Sequence, residues 1–475
     1  MSKRLCELGV CVALCSSCSS SKGEGSAAHT GGSGGSGGSV HPAAGEIAIG
    51  GSGGDAPGGS GASASGSAGG VHAGGSTSVG GSGGQAGAPG LSHPVTMSDV
   101  SMLFPLGTPA DFSAGHLHAN TMGSRGTLFP KAVYQQIPIA GSAAAGIGAN
   151  GVAPYENLSV VAMRLDPCFA ELHPTATTTT CKNQLRLVFQ ELASEGSTVT
   201  AFDSGVHAFY SLSRQELLSA VAEIVQLREA AVGSGGRGPL APHPIMAAQG
   251  LGGAFCKAVQ ALILRYAGEA NLVRATALTA SNAGFNWEFF GFELPSGAQG
   301  TPTSIAIAGL PANSAKEIFF RGFAPSTVDG IFTPGPTGPD DFTALAKEAS
   351  AASLSAAERV KIAAALVHFA NPAFTTPDSV DCAQCHTADP LEVNIAAKKA
   401  GISTADHPDA FKPDERWVLE AEMAPTDFSF GRMDGPAVNV HAFSYAQAIP
   451  TVSRRTVNET AAVVAFLNNS YLRSP

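Results

Sequence analysis

The chain has 475 residues, with 27 basic and 37 acidic side chains and a net charge of −10. This length allows two or three domains with well-formed cores. The acidic balance and the lack of Lys/Arg clusters argue against nucleic acid as a partner, because such a partner needs a basic stripe. Of the 58 Gly, 28 fall in residues 1–90, so the composition indicates a low-complexity arm joined to an ordinary globular body.

Residues 1–18 have the pattern of an export signal, in which Lys3 and Arg4 precede a short apolar run. The run is too short to span a bilayer. It leads into Leu14-Cys15-Ser16-Ser17-Cys18, which resembles the signal of bacterial lipoproteins, where a Cys is lipidated and becomes the mature N-terminus. The resemblance implies lipidation of Cys18 and a membrane-anchored protein that faces the periplasm or the cell surface, for example at the outer membrane. An ordinary cleaved signal is the alternative.

Residues 19–93 are rich in Gly-Gly-Ser steps and contain few large apolar side chains. Such a segment cannot bury enough apolar surface to fold and is typical of a flexible, disordered linker. We therefore expect a tether between the anchor and a globular body that begins near residue 94.

The segment 94–340 is predicted to be an α+β domain with a largely antiparallel sheet. Runs of β-branched and aromatic residues, bounded by turn residues, predict strands over 158–165, 185–189, 198–202, 206–210, 272–279 and 285–294. Between them, Ser213 and Glu216 form a capping box that predicts an amphipathic helix. A second helix is predicted over 255–267, with Gly268 as its C-cap. The segment has no Gly-x-Ser-x-Gly motif, no phosphate-binding glycine loop and no His-Glu-x-x-His, so the role of this domain is not evident.

Cys168 and Cys181 flank a polar loop between two predicted strands. In an oxidising compartment this arrangement favours a disulfide, and two buried thiols are the alternative. Cys256 lies in the second predicted helix and is expected to be a buried thiol outside any disulfide.

His116 and His118 could hold a metal from one strand face, but no third ligand is evident nearby, so surface or turn positions are favoured.

The most specific motif of the chain is Cys382-Ala-Gln-Cys385-His386, the Cys-x-x-Cys-His pattern of c-type haem attachment. Two thiols at this spacing add across the two vinyl groups of haem as thioethers, and the adjacent imidazole ligates the iron. A zinc site would need further ligands at matching spacing, and no second Cys pair follows the motif. We therefore expect one covalent haem c on Cys382, Cys385 and His386.

Two capping boxes flank this motif and predict helices. Ser355 and Glu358 precede one helix, and Thr456 and Glu459 open another near the C-terminus. With the motif between them, residues 341–475 resemble a small class I cytochrome c domain. The resemblance implies a small all-α domain, a single haem and a role in electron transfer.

The same resemblance implies a sixth iron ligand that lies downstream of His386 and shortly before the last helix. Met433, in a loop with Gly on both sides, fits this place best. His441 is the main alternative, and it would give bis-His ligation with a lower reduction potential. Met423 is nearer to the motif than is usual, and a vacant sixth position is the remaining alternative.

The sequence as a whole predicts an exported, membrane-tethered c-type cytochrome that passes single electrons to a redox partner protein. A peroxidase-like haem enzyme is an alternative, but it requires an open iron site, and di-haem peroxidases have two Cys-x-x-Cys-His motifs where this chain has one. A further alternative makes 94–340 a surface binding module, with the haem as a structural staple.

Overall fold

The computed structural model describes residues 90–475 except for 112–114, 137–154, 169–181, 203, 232–236, 282–285, 296–301, 305–318, 322–339, 347–350, 376–381, 427–438 and 473–475. The predicted export signal and nearly all of the predicted tether lie outside the described residues, and so does Cys18. The fold of the described part is α+β, as the sequence predicts.

A nine-stranded sheet, antiparallel at each of its strand pairings, lies at the centre of the described structure. Its strands are β1 Ser101–Leu103, β2 Leu158–Asp166, β3 Asn183–Glu195, β4 Thr198–Ala201, β5 Ser204–Leu212, β6 Leu272–Ser281, β7 Asn286–Glu293, β8 Thr303–Ser304 and β9 Phe319–Arg321. Their order is β1-β2-β3-β5-β6-β7-β8, with β4 paired to β3 and β9 paired to β7. All six predicted strands are confirmed, and every residue of β2 is buried because both faces of the sheet are covered.

Five longer helices surround this sheet, namely α1 Arg214–Ala230, α2 Ala254–Tyr266, α3 Ala356–Ala370, α4 Cys382–Leu391 and α5 Arg454–Tyr471. Short helices cover Met97–Val100, Lys131–Tyr134 and Pro244–Gln249, and 3₁₀ turns cover Tyr155–Asn157, Thr343–Ala346 and Glu420–Met423. The helix α4 continues directly into π-helical turns over Glu392–Ala400. A short hairpin, Met122–Gly123 with Gly126–Thr127, lies outside the large sheet.

The predicted helix caps are confirmed at two of four places. Ser213 caps α1 and Ser355 caps α3, each in a reciprocal capping box with the Glu three residues later. The predicted C-cap of α2 is wrong, because the helix ends at Tyr266 with Ala267 as its C-cap. Gly268 is instead required by a close approach, since a Cβ there would lie 2.5 Å from the carbonyl oxygen of Arg125.

The start of α5 also differs from the prediction. The N-cap is Ser453, whose side chain accepts a hydrogen bond from the backbone N–H of Thr456. Glu459 therefore lies more than one turn inside the helix, where it is 3% exposed and pairs with arginines. A capping glutamate is normally solvated, so this burial changes the role of Glu459 from a local cap to a tertiary contact.

The two faces of the sheet are covered by different parts of the chain. On one face, the Tyr210 hydroxyl donates to the Leu128 carbonyl oxygen at 2.6 Å, and the neighbouring Arg125 pairs with Glu216 of α1. The opposite face has Arg164, Arg186, His207 and Leu278 on adjacent strands, and we call it the His207 face. The described residues after 381 cover this second face.

Three kinds of contact hold the C-terminal segments on the His207 face. The hairpin β10 Phe443–Ala446 and β11 Ile449–Val452 bonds to β3, where Gln190 exchanges two hydrogen bonds of 2.9 Å with the backbone of Tyr445. The Thr460 and Ser101 hydroxyls lie 2.8 Å apart. Apolar side chains of both the hairpin and α5 belong to the main core, among them Phe443, Val452, Val457, Val464 and Leu467.

The predicted domains 94–340 and 341–475 therefore lie in one compact unit, Ser82–Pro475. Residues 341–475, which the sequence predicts to be all-α, also contain the β10/β11 hairpin. Each strand of this hairpin has only four residues, so its local sequence pattern is weak. Its position depends on burial against the sheet.

Candidate functional site

The Cys-x-x-Cys-His motif lies in the first two turns of α4. Residues three and four positions apart face the same side of a helix, so α4 presents Cys382, Cys385 and His386 together. The two cysteines pack against a core that includes Leu278 and Phe289 of the sheet. Neither cysteine is in a disulfide, so both thiols are retained at the spacing that thioether formation requires.

His386 is buried, and one hydrogen bond orients its ring. The Nδ1 atom lies 2.7 Å from the carbonyl oxygen of Val440. Because a carbonyl oxygen can only accept, Nδ1 carries the proton and Nε2 carries the lone pair that can ligate a metal. A hydrogen bond from the second ring nitrogen to a backbone carbonyl is the usual support of a metal-bound histidine.

The surroundings keep His386 and Cys385 uncharged. Burial lowers the pKa of His386 to about 4, partly opposed by the Val440 carbonyl, and the neighbouring His441 lowers it further. Burial raises the pKa of the Cys385 thiol to about 12, against the attraction of Arg455. At neutral pH the site therefore presents a neutral imidazole and a protonated thiol.

Two rings of the His207 face contact the motif. The ring centre of His386 lies 5.6 Å from that of His207 on β5 and 5.5 Å from that of Phe289 on β7. Burial lowers the pKa of His207 well below the usual value, and His386, Arg186 and His441 add to this effect. The sheet therefore supplies a second neutral imidazole that the sequence prediction did not include.

Small side chains surround His207 along its row of the sheet. The antiparallel register aligns His207 with Val188 on β3 and Thr276 on β6, and continues to Ala162 on β2 and Gly291 on β7. His207 is the only large side chain of these five. The row therefore presents a flat surface, of the kind on which a planar ring system can pack.

The next row of the same face is rich in arginine. It aligns Arg164, Arg186, Phe209, Arg274 and Glu293 across five strands. The guanidinium carbons of Arg186 and Arg274 lie 4.7 and 5.7 Å from the centre of the Phe209 ring. An aromatic face attracts such cations, so these two arginines are held beside the row that contains His207.

A buried network of ion pairs joins this row to α5. Arg164 pairs with Asp166 at 2.6 Å and with Glu459 at 2.8 Å. Arg186 pairs with Asp166 at 2.9 Å, and Arg455 pairs with Glu459 at 2.5 Å. A separate, partly exposed pair joins Arg274 and Glu293 at 2.6 Å.

These residues fit a covalent haem. The motif offers two thiols and an imidazole with an oriented Nε2, and the sheet offers a flat row with apolar Leu278 and Phe289 on one side and arginines on the other. Haem is itself a flat apolar ring with carboxylate groups at one edge, and guanidinium groups such as that of Arg186 suit those carboxylates. Since the porphyrin supplies four nitrogens, the protein needs to supply only two further ligands.

The predicted sixth ligands differ in their positions. Met433 lies outside the described residues. His441 is 1% exposed and follows Val440 directly, with its Nδ1 atom 3.1 Å from the Ser444 hydroxyl. Met423 is partly buried and lines a cleft of about 450 Å³, whose lining does not include His386. Met423 packs against the main core, whereas Cys382 and Cys385 pack against the second core.

The other predicted cysteine and histidine sites are structural where they are described. Cys168 is disulfide-bonded. Its predicted partner Cys181 lies outside the described residues, so this pairing stays a prediction. Cys256 is buried in α2 without a disulfide, and burial raises the pKa of its thiol to about 11.

His116 is buried rather than on the surface, with Nε2 3.1 Å from the Leu106 carbonyl oxygen. His118 lies 3.2 Å from the Ser159 hydroxyl.

Among the described residues, no three His, Cys, Asp or Glu side chains form a group that could hold a metal ion by themselves. Within the same part of the chain, none of the helices has the length and apolar character to cross a membrane.

No protein-family profile, curated protein or solved structure matches this chain.

Proposed function

We propose that this protein is an exported, membrane-tethered c-type cytochrome that carries out one-electron transfer through a single covalent haem. The observation that carries the proposal is the geometry of α4, which presents two thiols and a buried imidazole whose Nδ1 is bonded to Val440. Covalent haem, when bound, supplies a one-electron iron couple inside an apolar environment. A redox partner protein follows from this role.

Each of the site residues has a defined task in this proposal. Cys382 and Cys385 would hold the porphyrin through two thioethers, and His386 would ligate the iron through Nε2. Val440 keeps the ring of His386 in one orientation and one tautomer. The apolar side chains of Leu278 and Phe289 exclude water from the motif, and low polarity around a haem is one of the factors that set its potential.

We expect haem to be bound covalently at 382–386. In protein that has been expressed with a haem-attachment system, a proteolytic peptide that spans the motif should keep the haem mass after acid-acetone extraction. The double change Cys382→Ala and Cys385→Ala should abolish the adduct, because no thioether can form. Cys256→Ala is the matched control and should leave it unchanged. A bare motif peptide from correctly matured wild-type protein would contradict the proposed function.

Electron transfer, rather than turnover of a substrate at the iron, requires a sixth ligand that closes the iron site. The mature protein should therefore be low-spin in both oxidation states and bind cyanide slowly. High-spin iron with rapid cyanide binding and substantial consumption of peroxide would favour a peroxidase-like enzyme instead.

The membrane tether depends on lipidation of Cys18. In a bacterial host, the wild-type protein should fractionate with membranes, and Cys18→Ala should release it into the soluble exported fraction because the lipid attachment point is lost. Cys15→Ala, three residues earlier, is the matched control and should stay with the membranes. Membrane fractionation that is the same for both variants would show that Cys18 is not the anchor.

A further inference from the structure

We propose that His207, on strand β5 of the large sheet, is the second axial ligand of the haem iron. This inference rests on the proposed function and assigns a role to the α+β segment, which would complete the haem site. It differs from the sequence prediction, which places the sixth ligand downstream of the motif at Met433 or His441.

The separation of the two imidazoles fits this assignment. A bond between a metal and an imidazole nitrogen is about 2 Å long, so two imidazoles on opposite sides of one metal have ring centres about 6 Å apart. The ring centres of His386 and His207 are 5.6 Å apart. The two rings are tilted by 49°, and axial ligation is compatible with such an angle because each ring can rotate about its bond to the metal.

The hydrogen bond on Nδ1 of His386 fixes which side of its ring can face a metal. Val440 occupies the Nδ1 side of His386, which is the side that points away from a metal on Nε2. His441 follows Val440 directly in the chain, and its Nδ1 atom lies 3.1 Å from the Ser444 hydroxyl. His207 comes from the sheet, the layer against which α4 packs, and can thus lie across the iron from His386.

The row around His207 supplies the space that an axial ligand needs. Its neighbours along the row, Val188, Thr276 and Gly291, are small. The imidazole of His207 therefore extends beyond the other side chains of its row, toward His386. The next row adds Arg186 beside this surface, where a carboxylate of the haem can pair with it.

The test is the spectrum of mature, haem-loaded protein with changes at the three competing ligands. The wild type should be low-spin without the near-infrared band of a thioether-iron bond. His207→Ala should give high-spin ferric iron, and added imidazole should restore the low-spin spectrum by occupying the vacated position. His441→Ala and Met433→Ala should stay low-spin.

His207→Met provides a second test, which also serves if the alanine variant does not accumulate. This change keeps an iron ligand and should produce the thioether band and a higher reduction potential, because Met/His ligation raises the potential relative to bis-His ligation. Far-UV circular dichroism of each variant shows whether the fold is retained.

Three results would overturn the assignment. They are a His207→Ala protein that is folded and still low-spin, a His207→Met protein with the spectrum of the wild type, and a wild-type thioether band that Met433→Ala removes. In each case the haem is present and the proposed function stands. A wild-type protein without covalent haem would instead refute the proposed function, and the assignment of His207 would fall with it.

Discussion

Replacing Glu459 by Gln is expected to lower the free energy of unfolding of the mature protein by about 3–5 kcal/mol, the range found when one partner of a buried ion pair is removed. Glu459 is 3% exposed and pairs with both Arg164 and Arg455. The amide keeps the shape of the side chain but leaves two guanidiniums without this carboxylate. Urea denaturation of the wild type and the variant measures the difference.

The exposed Glu420 is the matched control, because Glu420→Gln removes the same charge at the surface and should change the free energy of unfolding by no more than about 0.5 kcal/mol. A double-mutant cycle of Glu459→Gln with Arg455→Met should show less than additive destabilisation, since the two side chains are in contact. If Glu459→Gln lowers the free energy of unfolding by less than about 1 kcal/mol, the ion-pair network contributes little to stability.

The contribution of Glu459 to the free energy of unfolding should also depend on pH, and it should decrease in acid. Burial opposes its charged form, but Arg455 and Arg164 hold the pKa of Glu459 below its ordinary value. A lowered carboxyl pKa stabilises the protein above the pKa of an unfolded glutamate, and the stabilisation is lost as the pH falls through the lower, folded value. The difference in the free energy of unfolding between the wild type and Glu459→Gln should therefore become smaller as the pH is lowered.

A fragment of residues 341–475 is expected not to fold by itself, even with haem attached. The side chains of Phe443, Val452, Val457, Val464 and Leu467 are buried in a core that they share with the sheet. Burial of one such side chain contributes about 1.5–3 kcal/mol, so their exposure costs roughly 7–15 kcal/mol. That loss is as large as the whole stability of a typical domain, about 5–15 kcal/mol.

The fragment Ser82–Pro475 is the matched control, because it contains the complete compact unit. It should unfold cooperatively and resist proteolysis like the full chain, whereas 341–475 should show no cooperative transition and rapid cleavage. A cooperative transition in 341–475, with the optical spectrum of the whole protein, would show that the haem segment is an independent domain.

The strands and most of the helix starts could be predicted from the sequence because their signals are local. The strand runs alternate or cluster apolar residues between turn residues, and all six appear in the sheet. The capping boxes at Ser213 and Ser355 each depend on four consecutive residues. The Cys-x-x-Cys-His motif is equally local, since helical spacing alone brings its three functional side chains to one side of α4.

Glu459 and the β10/β11 hairpin show where local signals are insufficient. Thr456 and Glu459 have the spacing of a capping box, but the N-cap of the helix is Ser453. Glu459 instead accepts a hydrogen bond from Arg164, 295 residues earlier in the chain. The hairpin is held by bonds to Gln190, 255 residues away. Neither partner can be found from the neighbouring sequence, because long-range packing and burial select it.

The sequence by itself therefore determined the α+β class, the strands of the sheet and the three residues expected to hold haem, since each follows from propensity or spacing over a few residues. Only the tertiary structure decided that the motif lies against the sheet and meets His207. The local signal for His207 is a single histidine between Val206 and Ala208 in a strand, which is equally typical of an ordinary core position. Its contact with His386 arises because strand register and helix packing bring together residues 179 positions apart.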